Sequence, residues 1–316
     1  MVSCEWGGSP ASIMGTLSIC IVNWNTRQHL RRCLAALREH TADLAPAVVV
    51  VDNGSEDGSA EMVREEFPEV LLVANPDNRG YAAGCNQALE AAEAEFKLLL
   101  NPDVIVEAGA VQYLVEFLRG HPRAGAVAPR LRYPDGRVQL TCRSFPTPDT
   151  LWYDALGLAR IFPHSRRWGK YRRSWWGHDD ERQVEQPMAS ALLLRDMALR
   201  EIGGLDESFP IFFNDVDLCY RLRQAGWEIW FTPRAQMVHY HGASTSQVWP
   251  RMLNESQAGF VRFYEKHYRG RLSWWSYWGA RLLLALGFAA RRMRLKLGGG
   301  RGPYRAAWQE DTQQKS

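Results

Sequence analysis

Apolar and polar positions follow two alternating periods over the first hundred residues. Leu17 to Val22 is an apolar run rich in β-branched residues; Asn23, Asn25 and Thr26 follow, and then Leu30, Leu34 and Leu37 recur at helical spacing. That pattern predicts strand, loop and helix. It repeats: Ala47 to Val51 reads as a buried strand ending at Asp52, the Gly54-to-Gly58 loop follows, and Ser59 to Glu66 suits a short helix. Val70 to Ala74 opens a third round with a helix near Ala82 to Ala94, and Phe96 to Leu100 is a fourth strand. Strands interleaved with helices imply an α/β fold with a parallel, doubly wound sheet. In such a sheet the ligand crevice lies beyond the carboxyl ends of the strands. The polar residues fall there: Asn23 and Asn25 after the first strand, Asp52 and Asn53 after the second, Asn75 to Arg79 after the third, Asn101 to Asp103 after the fourth.

The second half is less periodic. Pro134-Asp135-Gly136 between extended residues signals a hairpin over Leu131 to Leu140. Ser144 to Glu185 is aromatic and basic without a clear period, and reads as an acceptor-side insertion. Regularity returns with a strand at Met188 to Leu194, helices near Asp196 to Ile202 and Asp215 to Gln224, the latter closed by Gly226, and a strand at Trp227 to Thr232. In Leu272 to Ala290, Trp274, Trp275, Tyr277 and Trp278 precede an apolar run from Leu282 that is far short of the ~20 residues needed to cross a bilayer. With Arg291, Arg292 and Arg294 just beyond, this segment suits either an amphipathic helix lying on an anionic membrane surface or a helix packed on the domain with its basic end solvated. Gly298 to Ser316 reads as a loose tail.

Charge adds one exclusion. Thirty-eight basic against 35 acidic residues give a net +3, which does not argue for nucleic acid as a partner. The six cysteines lack a C-x-x-C pair and sit mostly in apolar runs, pointing to reduced thiols and a cytoplasmic setting. The first fifteen residues do not read as a secretory signal.

Five segments carry candidate chemistry. Asp52-Asn53-Gly54-Ser55 presents a carboxylate at a fixed depth in the crevice, suited to a nucleobase or, equally, to a turn. Asn78-Arg79-Gly80-Tyr81-Ala82-Ala83-Gly84-Cys85-Asn86 puts small residues at a helix entry, where backbone amides or Asn86 can approach a ligand, or where glycines serve close packing. Its spacing is neither that of a Walker loop nor that of the dinucleotide fingerprint. Asn101-Pro102-Asp103 suits a Mg²⁺ or Mn²⁺ ion shared with a diphosphate, or a cap for a helix starting near Glu107. Asn214-Asp215-Val216-Asp217 follows an apolar stretch that would raise a carboxylate pKa, as a general base requires; helix capping is the competing reading. His239-Tyr240-His241 is expected in a loop facing the crevice, where a histidine can complete a metal site or be structural.

In this order and spacing, Leu17 to Ser246 resembles family 2 glycosyltransferases of the GT-A fold, in particular the bacterial rhamnosyltransferase-like branch. Ile19 to Asn25, Val51 to Ser55, Asn78-Arg79-Gly80, Leu100 to Asp103, Asp215 to Cys219, and His239 with Ser244 carry the likeness. The resemblance implies a Rossmann-like nucleotide-binding sheet continuous with an acceptor-binding half; the C-terminal amphipathic helical segment read from the sequence lies beyond it. The corresponding spans are an N-terminal extension (1–15), a nucleotide-sugar half (16–130), an acceptor-binding catalytic half (131–247) and a helical segment with tail (248–316). It implies that Asp52 contacts the nucleobase and that Asn78, Arg79, Gly80 and Asn86 line the nucleotide, with Asn23, Asn25, Asn53 and Asn101 beside them. Asp103 would hold the divalent cation, His239 would join it with His241 close by, and Asp215 would be the catalytic base. Two departures stand out: Asn101 replaces a carboxylate often present, so cation affinity without donor should be weak, and Asn214 stands where Glu often precedes the base. The implied reaction is an inverting, metal-dependent transfer from a nucleotide-sugar donor, dTDP-L-rhamnose, to a glycan or polyprenyl-diphosphate-linked glycan in cell-surface polysaccharide synthesis. A UDP-hexose donor, or a noncatalytic glycan-binding or assembly protein, is the alternative. The expected location is cytoplasmic, peripheral on the inner face of the membrane.

Overall fold

The computed structural model describes residues 15–162, 164–240 and 249–297. Its first part alternates strands and helices: β1 (Gly15–Asn23), α1 (Arg27–His40), β2 (Ala47–Asn53), α2 (Ser59–Glu66), β3 (Leu71–Asn75), α3 (Tyr81–Ala91) and β4 (Ala94–Leu100). There follow β5 (Val104–Val106), α4 (Ala110–Gly120), β6 (Ala124–Arg132), β7 (Cys142–Arg143), α5 (Pro148–Ala155) and α6 (Leu158–Ile161). The chain continues through β8 (Arg182–Gln183), β9 (Gln186–Pro187), β10 (Ala191–Arg195), α7 (Asp196–Ile202), α8 (Asn214–Gln224), β11 (Glu228–His239), α9 (Trp249–His267) and α10 (Trp274–Leu297).

One sheet organises these elements, in the order β3-β2-β1-β4-β10-β6-β11-β5, with β8 paired to β11. The first four strands are parallel, as the repeating pattern predicts; β1, β2 and β4 are largely buried on both faces, whereas β3 at the sheet edge is partly exposed. Leu17, Ile19 and Ile21 join the core under α1 and α4, whereas Cys20 and Val22 join the opposite core under α3 and α8. Register aligns the polar strand ends, with Asn23 opposite Asp52 and Asn53 opposite Asn75. The crevice edge is therefore set by the pairing of apolar residues further back.

Several expectations change in the second half. β10 runs antiparallel to both β4 and β6, so the sheet is mixed. The 131–140 hairpin is reduced to a tight turn with a single bridge between Arg132 and Val138. β11 extends to His239, through an irregularity between Thr232 and Gln236 that absorbs Pro233. His239 thus ends a strand rather than sitting in a loop, and its register partner is Val104 of β5. No helix begins near Glu107, since β5 directly follows Asp103 and α4 starts at Ala110, so Asp103 is not a helix cap.

The 144–185 insertion contains α5 and α6, and α10 packs against α5. Tyr277, Ala280, Leu284 and Phe288 of α10 are buried, while Trp275, Trp278, Leu282 and Leu286 on another face are exposed. Arg281 lies over the Tyr277 and Trp278 rings and pairs with Glu265 of α9, which removes it from the apolar face. Among the described residues no helix is long and apolar enough to cross a membrane.

Candidate active site

The β1 and β2 ends are tied into one network. Asn23 Nδ2 donates to Asp52 Oδ1 at 2.8 Å, the Ser55 hydroxyl donates to the same oxygen at 2.7 Å, and the Ser55 amide donates to Oδ2 at 3.0 Å. Thr26 Oγ1 donates to Asn23 Oδ1, and the Asn25 side-chain oxygen accepts from the Glu56 amide. Asp52 is accordingly buried and shapes the loops; an ionised carboxylate takes about four hydrogen bonds, so Oδ2 keeps acceptor capacity. Asn53 Nδ2 donates to the Gly80 carbonyl and its oxygen accepts from Asn75, which fixes the start of α3 against β2.

The α3 entry differs from the anion-cradle reading. The Tyr81 and Ala82 amides both donate to the Pro210 carbonyl, at 2.7 and 3.2 Å, so these two N–H groups are occupied. Gly80 has φ +90°, and an added Cβ there would press on Pro210, which explains glycine at this position. Gly84 serves close packing: a Cβ would stand 2.8 Å from Val22 Cγ1. Asn86 offers no free side-chain amide to a ligand, because its side chain brackets Leu205, donating to the carbonyl at 2.9 Å and accepting from the amide at 2.8 Å. Asn78 and Arg79 are exposed at the rim.

Beyond β4, Asn101 is held by three groups. Its amide donates to the Ser190 carbonyl at 2.8 Å, its Nδ2 to Ser190 Oγ at 3.3 Å, and its Oδ1 accepts from the Tyr81 hydroxyl at 3.2 Å. Pairing of β5 with β11 then brings Asp103 Oδ1 to 3.4 Å from His239 Nε2, with both side chains buried. Gln139 orients the histidine: its Nε2 donates to the His239 carbonyl at 2.7 Å and its Oε1 accepts from His239 Nδ1 at 2.9 Å. A backbone carbonyl can only accept, which fixes the amide orientation, makes Nδ1 the donor to Oε1 and turns Nε2 toward Asp103.

These donors fit a hard or borderline cation. Two ligands each about 2.1 Å from a shared ion stand roughly 3–4 Å apart, and a ligating histidine characteristically has its other nitrogen hydrogen-bonded. No cluster of three or more His, Cys, Asp or Glu ligands occurs among the described residues, so Asp103 and His239 suit an ion that takes its remaining ligands from elsewhere. His241 and Ser244 lie outside the described residues.

Asp215 stands on the first turn of α8, after Phe213 in a left-handed conformation at φ +71°. Such a residue is strained, by about 1–3 kcal/mol. Asn214 is buried and donates to the Ile211 carbonyl at 2.8 Å, so it braces the turn that presents Asp215. Asp215 accepts from the Val216 amide at 2.9 Å and the Ala189 amide at 3.4 Å. Burial pushes its carboxyl up, against the opposing pull of those amides and the Arg143 charge. Asp217, two residues on, is fully buried among Arg221, Lys266 and His267, each at 2.7 Å; despite burial, these partners hold it at about 2. Asp217 is locked in ion pairs, whereas Asp215 is only partly buried.

Consecutive residues link the two ends of the site: Ala189 touches Asp215 and Ser190 touches Asn101. Tyr81 lies within the influence of both carboxylates; burial, then Cys85 and the charges of Asp215 and Asp103, push its hydroxyl well up. Sequence reasoning missed Tyr81, Gln139, Arg143 and Ser190. Only Tyr81 had a local signal, as the first residue of α3 beside the glycine entry.

Residues 18–177 match the family described as Glycosyl transferase family 2. The chain is 31% identical over 242 residues to the N-acetylglucosaminyl-diphospho-decaprenol L-rhamnosyltransferase of Mycobacterium tuberculosis, covering 73% of this chain and 78% of the relative. It is 28% identical to the succinoglycan biosynthesis protein ExoA of Rhizobium meliloti, covering 68% of this chain and 60% of that protein. Among solved structures it resembles the mannosyltransferase PcManGT of Pyrobaculum calidifontis in complex with GDP-Man and Mn²⁺, with a TM-score of 0.55, 18% identity, and coverage of 95% of this chain and 80% of the other. That likeness is one of fold.

Proposed function

Since the chain belongs to glycosyl transferase family 2, and is a GT-A glycosyltransferase of the rhamnosyltransferase-like kind, we propose that it transfers L-rhamnose from dTDP-L-rhamnose to a polyprenyl-diphosphate-linked sugar. The donor and acceptor rest on the mycobacterial relative. The observation that carries the catalytic reading is the Ala189-Ser190 link, which sets a carboxylate of raised pKa beside the Asp103 turn.

In this reaction the acceptor hydroxyl attacks the anomeric carbon as the bond to the nucleotide diphosphate breaks on the opposite face, inverting the centre. Asp215 takes the hydroxyl proton; a raised pKa brings it nearer the working pH, where a base is most effective. When bound at Asp103 and His239, a Mg²⁺ or Mn²⁺ ion supplies positive charge to the departing diphosphate. Asp52, Asn23, Asn25 and Asn53 shape the nucleotide side of the crevice, and Asn78, Arg79 and Gly80 form its rim. Asn101 carries no charge, so cation affinity without nucleotide is weak. The exposed apolar face of α10 supports peripheral attachment to the inner face of a membrane, where a lipid-linked acceptor resides.

A panel of nucleotide sugars, with and without Mn²⁺ or Mg²⁺, tests the reading against an N-acetylglucosaminyl-diphosphate-isoprenyl acceptor. Transfer from dTDP-L-rhamnose is expected, with Asp215→Asn lowering kcat by about 10²–10⁴-fold. Turnover with UDP-hexoses but not with dTDP-rhamnose sinks the donor assignment. Full activity of Asp215→Asn sinks the base.

A further inference from the structure

The 144–185 insertion holds a cavity that Asp103, His239 and Asp215 do not use. It has a volume of about 330 Å³ and is lined by Ser144, Arg166, Lys170, Arg173, Arg182 and Glu185, among others. Four cations thus surround a single carboxylate. Glu185 accepts from the Phe145 amide at 2.7 Å and faces Arg173 at 3.5 Å. Arg166 and Arg182 both lie against the Trp175 ring, at 5.0 and 5.4 Å from its centroid, which holds two guanidinium groups beside one wall. Lys170 and Arg182 are paired with the half-exposed Asp149 and Asp180. Such surface pairs are worth little and exchange readily for a stronger anion. Guanidinium forks match phosphate oxygens two at a time, so the chemistry favoured here is a phosphate or diphosphate.

Position narrows the ligand. From Glu185 the chain runs through β9 to Ala189, whose amide donates to Asp215. Four residues span at most ~14 Å when extended, a reach comparable with a sugar and its diphosphate. The Arg143 charge, adjacent in sequence to the Ser144 wall, already acts on Asp215. The same insertion exposes Trp152, Leu156, Ile161 and Phe162, and its α5 packs against α10. One segment therefore offers an apolar surface for a lipid, a cationic cavity, and a wall that ends on the base.

Resting on the transfer reading above, we propose that this cavity receives the diphosphate of the lipid-linked acceptor and so delivers the acceptor sugar to Asp215. The test is the Arg166→Ala/Lys170→Ala double variant, with Arg64→Ala on α2 as a control outside the cavity. The KM for the N-acetylglucosaminyl-diphosphate-isoprenyl acceptor is expected to rise at least tenfold in the double variant and to stay unchanged in the control. Inorganic pyrophosphate, titrated with the donor side saturated by dTDP, should bind at least tenfold more weakly, while dTDP affinity itself reports an intact fold. Unchanged KM and unchanged pyrophosphate affinity overturn the proposal. Loss of binding to phosphatidylglycerol vesicles with an unchanged acceptor KM also overturns it, by making the cavity a headgroup site. If the wild type transfers to no acceptor, the transfer reading fails, and the pyrophosphate titration still decides whether the cavity takes a diphosphate.

Discussion

Replacing Gln139 with leucine removes both bonds that orient His239. Gln139 is buried, and the His239 carbonyl and Nδ1 that it satisfies are buried with it. Each of these two groups deprived of Gln139 costs about 1–3 kcal/mol, so the variant should lose roughly 2–6 kcal/mol of folding stability. Losing the partner that holds a ligating histidine in one tautomer typically weakens metal binding by about 10–100-fold. Gln139→Glu separates the two effects, because a carboxylate still accepts from Nδ1 but no longer donates to the carbonyl. It should therefore keep Mn²⁺ affinity within a few-fold while losing some stability. Mn²⁺ titration followed by electron paramagnetic resonance, with dTDP present, gives the affinity. Nitrogen-15 spectra of the imidazole in metal-free protein give the tautomer independently of activity. A Gln139→Leu protein that folds, keeps its proton on Nδ1 and binds Mn²⁺ as the wild type does would refute the reasoning.

Three other perturbations follow from the geometry. His178 is fully buried, accepts from the Cys142 amide through Nε2 at 3.1 Å and is pushed by burial down to about 4 from 6.5. The unfolded chain therefore takes the proton first as the pH falls; about 3 kcal/mol of stability, complete above pH 6.5, is lost on descent to pH 4. Denaturant titrations across that window should show the loss, and His178→Gln should flatten it. Gly84→Ala puts a methyl 2.8 Å from Val22 Cγ1, which should cost about 1–3 kcal/mol in urea denaturation; a neutral result would mean that α3 shifts freely. Changing Trp275, Trp278 and Leu282 together to serine removes exposed apolar side chains, each worth about 1.5–3 kcal/mol when buried. Binding to phosphatidylglycerol vesicles should fall at least tenfold, and equal co-sedimentation would leave the α10 face without a role at the membrane.

The first four strands were legible because parallel strands are largely apolar, so each appears as a mostly apolar run such as Ala47 to Val51. The polar strand ends were legible for a related reason: polarity begins where the apolar run ends, and register then aligns Asn23 with Asp52. What escaped was whatever depends on partners distant in the chain. Asn86 looked available for a ligand, but Leu205, 119 residues away, claims its amide. Gln139 had no local mark, and its meaning comes from His239, 100 residues further on. The extension of β11 was hidden by Pro233 and Arg234, which break the apolar pattern just where the strand is irregular against β6. That hidden stretch matters most for the chemistry. The short β5, only three residues long, has little identity until β11 runs alongside it, and their antiparallel pairing sets His239 opposite Val104 and so against Asp103. The turn proposed to hold a cation is therefore built by two halves of the sheet at once. A substitution that shortens β11 should impair cation binding with both proposed ligands still present in the sequence.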